Sequence, residues 1–135
     1  QYRDEILHLA SKLDVIFLGL IRDKKELMGL LKNTRLFVFP SFIEGMSNML
    51  LEAASMKAPI ICSDIPENKA VFEEGEVTFF KVGDENDLAD KINSALTDQK
   101  QMRERTNQAF KKLHHQYQWK SIASQYKAVY DSLIS

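Results

Sequence analysis

Glu44 and Glu52 are separated by seven residues in the run Phe37-Val38-Phe39-Pro40-Ser41-Phe42-Ile43-Glu44-Gly45-Met46-Ser47-Asn48-Met49-Leu50-Leu51-Glu52-Ala53-Ala54. The first three residues read as the end of a strand, and Ser47 onward reads as a helix. A strand end that opens into a helix N-terminus presents unpaired backbone N–H groups and the positive end of a dipole, which together hold an anion. Carboxylates beside such a site are poorly placed for the anion and well placed to accept hydrogen bonds from hydroxyls attached to it. The pattern suits a sugar diphosphate: N–H groups near Met46, Ser47, Asn48 and Met49 for the phosphates, Glu44 and Glu52 for hydroxyls. Gly45 lets a ligand approach the backbone closely. The alternative is a purely structural pair. Glu52 alone would then gain about 0.3–1 kcal/mol from the helix dipole, an account that does not cover Glu44.

These residues need elements to hold them. Apolar spacing predicts a helix over 2–13, and the apolar run 15–19 closed by Gly19 predicts a buried parallel strand. Asp23 is placed to cap a helix carrying Leu27, Met28, Leu30 and Leu31. A strand follows over 35–39, ended by Pro40, which cannot donate to a ladder. The motif helix is expected over about 47–56, and further strands over 59–62 and 77–80. A turn from Asp64, with a short helix to Phe72, separates those two strands. Asp84 caps a helix with Leu88, Ile92, Ala95 and Leu96 on one face, and two more helices are expected over 99–115 and 119–134. Strands and helices alternate at roughly 20-residue intervals, the rhythm of βαβ units. The fold class is therefore α/β: a Rossmann-like, three-layer α/β/α domain with a small parallel sheet of four or five strands. Ligands of such sheets bind outside the carboxyl ends of the strands, where residues 20–22, 41–47 and 63–68 fall.

Composition excludes several functions. The 135 residues fit a single domain, with 44% hydrophobic and 27% charged residues and a formal net charge of −1. That balance gives no nucleic-acid surface and no polybasic membrane patch. No apolar stretch approaches the roughly 18 residues of a membrane-spanning helix. The opening Gln1-Tyr2-Arg3-Asp4-Glu5 lacks a signal-peptide pattern, so a cytoplasmic protein is expected. Gln1 is not an initiator Met, and the chain is expected to be part of a longer polypeptide. Cys62 is the single cysteine and reads as a small buried hydrophobe. His8, His114 and His115 read as surface-helix residues without metal spacing. Lys111-Lys112 and Arg103-Glu104-Arg105 read as solvated helix faces, Met46, Met49 and Met56 as core filling, and Trp119 as the anchor of the last helix. Asp64 reads as a turn residue bordering the ligand, and Glu67 either as a pocket-edge group or as a solvated one.

The segment Pro40-Ser41-x-x-Glu44-Gly45-Met46-Ser47-Asn48-x-Leu50-Leu51-Glu52-Ala53 resembles the signature of retaining glycosyltransferases of family 4. The resemblance continues through 15–19, Ala58-Pro59-Ile60-Ile61-Cys62-Ser63, Phe80-Lys81-Val82-Gly83-Asp84 with Leu88, and the aromatics Trp119 and Tyr126. It implies the C-terminal, donor-binding half of a GT-B enzyme, spanning residues 1–135 as one domain. The N-terminal acceptor-binding domain would be absent from this chain and would be its partner in the full-length protein. Glu44 would then bond the transferred sugar as the catalytic-site acid, and Glu52 the ribose. Gly45, Met46, Ser47, Asn48 and Met49 would hold sugar and diphosphate, and Leu20, Ile21 and Arg22 would meet the base. The nucleotide sugar is the donor, with no metal and no other cofactor implied. The setting would be polysaccharide or glycoconjugate synthesis, in the cytoplasm or peripheral to the inner face of the membrane.

This chain departs from the family in two ways. Lys57 stands where the family closes its motif helix with glycine, at a cost of about 1 kcal/mol if its φ is positive. The family's diphosphate-neutralising Arg and Lys fall upstream of Gln1. With half the cleft elsewhere, this stretch alone is expected to be inactive. A non-catalytic interaction module and a sugar-nucleotide epimerase domain are the alternative readings.

Overall fold

A computed structural model describes residues 2–117, 122–124 and 127. In chain order the elements are α1 (Tyr2–Ala10), α2 (Lys24–Asn33), β1 (Phe37–Phe39), α3 (Asn48–Ser55), β2 (Ile60–Ser63), α4 (Pro66–Val71), β3 (Thr78–Phe80), α5 (Glu85–Thr97) and α6 (Gln99–Gln116). The three strands form one parallel sheet in the order β1-β2-β3. Phe37 pairs with Ile60, and Ile61 with Thr78.

The central strand explains the layering. All four residues of β2 are buried, and its side chains alternate between faces. Ile60 and Cys62 join Leu50, Ala53 and Ala54 of α3, Val71 and Phe72 at the end of α4, and Ala109 of α6. Ile61 turns the other way, to Phe80, Ala95 and Met102, with Leu88 and Ile92 of α5 alongside. Helices cover both faces, which is the three-layer architecture expected. α3 is apolar on nearly every side because α2, β2 and α6 all pack against it. Caps fix three other helix starts: Asp23 accepts from the Lys25 N–H at 2.8 Å, Asp84 from the Asp87 N–H at 3.0 Å, and Asp98 from the Gln101 N–H at 3.0 Å.

Burial raises the Cys62 thiol to about 12. At pH 8 roughly one molecule in ten thousand would carry the nucleophilic thiolate. Iodoacetamide at that pH is expected to leave native Cys62 unmodified and to alkylate it fully in denaturant; rapid labelling of the folded protein would contradict the packing. The linkage has the same origin. The folded thiol titrates above the unfolded one, so its contribution to stability is complete below the ordinary thiol pKa and is lost as pH rises toward 12.

Three expectations need correction. Residues 15–19 form no strand, and Ile16, Phe17 and Leu18 are exposed. Apolar composition does not make a strand without a neighbour to complete the ladder. Among the described residues β1 has no partner on its outer edge, so the sheet has three strands rather than four or five. Second, the basic positions of α6 are not uniformly solvated. The Lys112 side chain is 12% exposed and pairs with Glu76 at 2.9 Å and Glu73 at 3.4 Å, while Arg105 donates to the Val77 carbonyl at 2.9 Å and to Thr78 Oγ1 at 3.2 Å. These contacts staple the approach to β3 onto α6. Third, Met46 is exposed rather than core filling, whereas Met56 packs against the core.

Lys57 does adopt a positive φ of 56°, a left-handed conformation that costs a non-glycine residue roughly 1 kcal/mol. Residues 122–124 and 127 are helical; the rest of the predicted last helix, with Trp119 and Tyr126, lies outside the described residues.

Candidate functional site

The site is built on β1, the loop 41–47 and the first turn of α3, at the carboxyl end of the sheet. Serine at a helix N-cap ordinarily accepts from the second or third N–H of the helix. Ser47 occupies that position and makes no such bond. Its hydroxyl instead donates to Asn68 Oδ1 at 2.7 Å. The Met46, Ser47 and Met49 N–H groups have no acceptor among the described residues, Met49 being the one that a capping Ser47 hydroxyl would take. Asn48, expected among the open donors, is not one of them: its N–H closes a tight turn onto the Met46 carbonyl at 2.7 Å. The result is a helix N-terminus with three unspent donors, beside a Gly45 that has open space where a Cβ would lie.

Behind this cradle runs a buried polar chain. Asn68 of α4 is fully buried and donates from Nδ2 to the Ser63 carbonyl at 2.9 Å and to Ser63 Oγ at 3.1 Å. Ser63 Oγ donates in turn to the Ser41 carbonyl. Ser41, Ser63, Asn68 and Ser47 thus tie the exits of β1 and β2 to the start of α3. Sequence reasoning placed Asn68 in a turn and assigned it no role. The available signal was the polar Ser63 closing a buried apolar strand, with an amide side chain five positions on.

Each acid has its own tether. Ser41 Oγ donates to Glu44 Oε1 at 2.6 Å, holding the half-buried Glu44 in the loop. Glu52 lies on α3 and pairs with Lys24 Nζ, at the first turn of α2. Lys24 was not anticipated. It lies two residues past the expected base loop, where Leu20 and Arg22 are exposed and Ile21 is half-buried. The ion pair therefore anchors that loop's exit to α3. The next strand exits are joined similarly. Asp64 Oδ1 accepts from the Val82 N–H at 2.9 Å, and Asp64 lies 3.6 Å from Lys69. The Val82 bond first, and the Lys69 charge with it, outweigh desolvation and hold the Asp64 carboxyl below its ordinary range. Asp64 is the turn residue expected, and Glu67 is half-buried on α4. Phe42, Ile43 and Met46 form an exposed apolar rim.

Three open amides can hold an anion, and two tethered carboxylates can accept from hydroxyls. Among the described residues no group of three or more His, Cys, Asp or Glu is arranged to hold a metal ion, and no helix is long and apolar enough to cross a membrane.

Comparison with known proteins identifies the family and the fold. The chain is 26% identical over 125 residues to the phosphatidylinositol N-acetylglucosaminyltransferase gpi3 subunit of Schizosaccharomyces pombe, covering 86% of this chain and 27% of that protein. Its fold matches sucrose-phosphate synthase from Thermosynechococcus elongatus with a TM-score of 0.81 and 24% identity, over 98% of this chain and 34% of the other. It also matches Anabaena HepE, solved in complex with UDP-glucose, with a TM-score of 0.83 and 19% identity, over 97% of this chain and 37% of the other. These solved neighbours are GT-B proteins, and the chain spans little more than a third of them at most. The family model of glycosyl transferases group 1 matches residues 1–113, which include the whole strand, loop and helix unit of the cradle, and the chain belongs to that family.

Proposed function

We propose that this chain is the donor-binding half of a retaining GT-B glycosyltransferase of family 4. Such an enzyme moves a sugar from a nucleoside diphosphate to an acceptor hydroxyl, in polysaccharide or glycoconjugate synthesis. The observation that carries the reading is the open N-terminus of α3, with three free amides between the tethered acids Glu44 and Glu52. In this scheme the amides of Met46, Ser47 and Met49 take the diphosphate, and Gly45 lets it approach. They stabilise the charge that develops on the leaving group, as dipoles already in place before reaction. Glu44 orients the transferred sugar, and Glu52 accepts from the ribose. Residues 20–22 meet the base. HepE, solved with UDP-glucose, is a fold neighbour whose ligand is of the proposed class.

The scheme uses no metal. A second, acceptor-binding domain completes the cleft, and the assembled protein works in the cytoplasm or at the inner face of the membrane. The test is calorimetry of the full-length protein with UDP and GDP. One of them should bind, and Glu52→Gln should weaken it about tenfold, the worth of a hydrogen bond to a charged group. An affinity unchanged by that substitution would refute the ribose assignment.

A further inference from the structure

At the opposite end of the sheet, where the strands enter rather than leave, lies a cavity of about 400 Å³. Its walls come from the approach to β1, the link between α3 and β2, the end of α5 and the start of α6. Arg35, Lys57 and Arg103 line it, and no acidic residue does. The Arg35 and Arg103 side chains make no hydrogen bond, ion pair or ring contact with any described residue. The chain as a whole carries a net charge of −1, so two such arginines on one hollow without an acidic lining residue are a local concentration of positive charge.

Lys57 also lines the cavity, and its ammonium lies 4.5 Å from the centre of the Phe110 ring. Its left-handed φ of 56° closes α3: the Lys57 N–H donates to the Ala54 carbonyl and the Ala58 N–H to the Ala53 carbonyl, both at 3.0 Å. The cavity is not purely ionic. Pro59 and the buried Met102 supply an apolar wall, and Gln99 and Asn107 supply amides.

We infer that this cavity is a second anion site, which takes a phosphate group carried on a compact organic body. Planar guanidinium groups match phosphate oxygens in pairs. The apolar wall accepts the body, and the volume lies within the range of small-molecule sites. The phosphate has two possible sources, a soluble ester or a phospholipid headgroup. The inference does not depend on the donor cradle, which lies beyond the other end of the strands.

The experiment titrates the full-length protein with phenyl phosphate, and separately with phosphatidylcholine vesicles containing phosphatidic acid. The proteins compared are the wild type, Arg35→Ala/Arg103→Ala, the charge-matched control Lys12→Ala/Lys111→Ala, and Glu52→Gln. All four replaced cations are exposed, so the variants should keep the fold. The arginine pair should lose at least about tenfold in affinity, while the control and Glu52→Gln keep wild-type affinity. A selective loss with phenyl phosphate assigns a soluble ester, and one seen only with vesicles assigns a headgroup. Absence of wild-type binding in both arms, or equal losses in both double variants, overturns the site. Because Glu52→Gln weakens only the proposed donor site, failure there and failure here can be told apart.

Discussion

Asn68→Leu should destabilise the protein by about 2–4 kcal/mol, although leucine fills nearly the same volume, because buried groups stripped of their partners cost about 1–3 kcal/mol each. Ser47 Oγ would lose its acceptor, and the Ser63 carbonyl and hydroxyl would lose their shared donor. Neither serine can turn to water, since both are buried. Asn68→Asp should not rescue: it keeps an acceptor for Ser47 but sets a carboxylate against two Ser63 oxygens. Denaturant unfolding measures the loss directly, and a midpoint shift worth less than about 1 kcal/mol would show that the network is incidental. Donor affinity should fall along with stability. Once released, Ser47 is free to cap its own helix and take the Met49 N–H that the network leaves open.

Glu44→Ala should lower kcat/KM in the full-length enzyme by about 10²–10³, the effect of losing a group that positions the reacting centre. Glu44 is held by Ser41 in a loop that is otherwise largely exposed, so its placement is set before any ligand arrives. Glu44→Gln keeps one acceptor oxygen and should cost only about tenfold. Nucleotide affinity should change little in either variant, because the proposed contact is to the transferred sugar. Wild-type turnover by Glu44→Ala would remove Glu44 from the chemistry.

Most of the architecture was legible because each buried strand is short, apolar and bounded by a breaker or a cap. Pro40, Asp23 and Asp84 marked boundaries that the structure reproduces within a residue or two. The run 15–19 was misread because composition reports a preference for burial, whereas a strand also requires a neighbouring edge. At the site, the two acids and the helix start were legible as spacing. Their tethers were not, since Ser41 lies close in sequence to Glu44 whereas Lys24 lies in a different element from Glu52. Asn68 was illegible for the same reason, as its partners come from the start of α3 and the exit of β2. The turn that consumes the Asn48 N–H is a matter of backbone angles that residue types do not announce.

The strand order has a consequence for biogenesis. Phe37 pairs with Ile60, and Ile61 with Thr78, so β2 docks on β1 and β3 on β2, each on the described strand translated before it. Growth at the ribosome, N-terminus first at about 5–20 residues per second, can then extend the sheet one segment at a time. Among the described strands, none has to wait for a distant mate or be threaded between two others already in place.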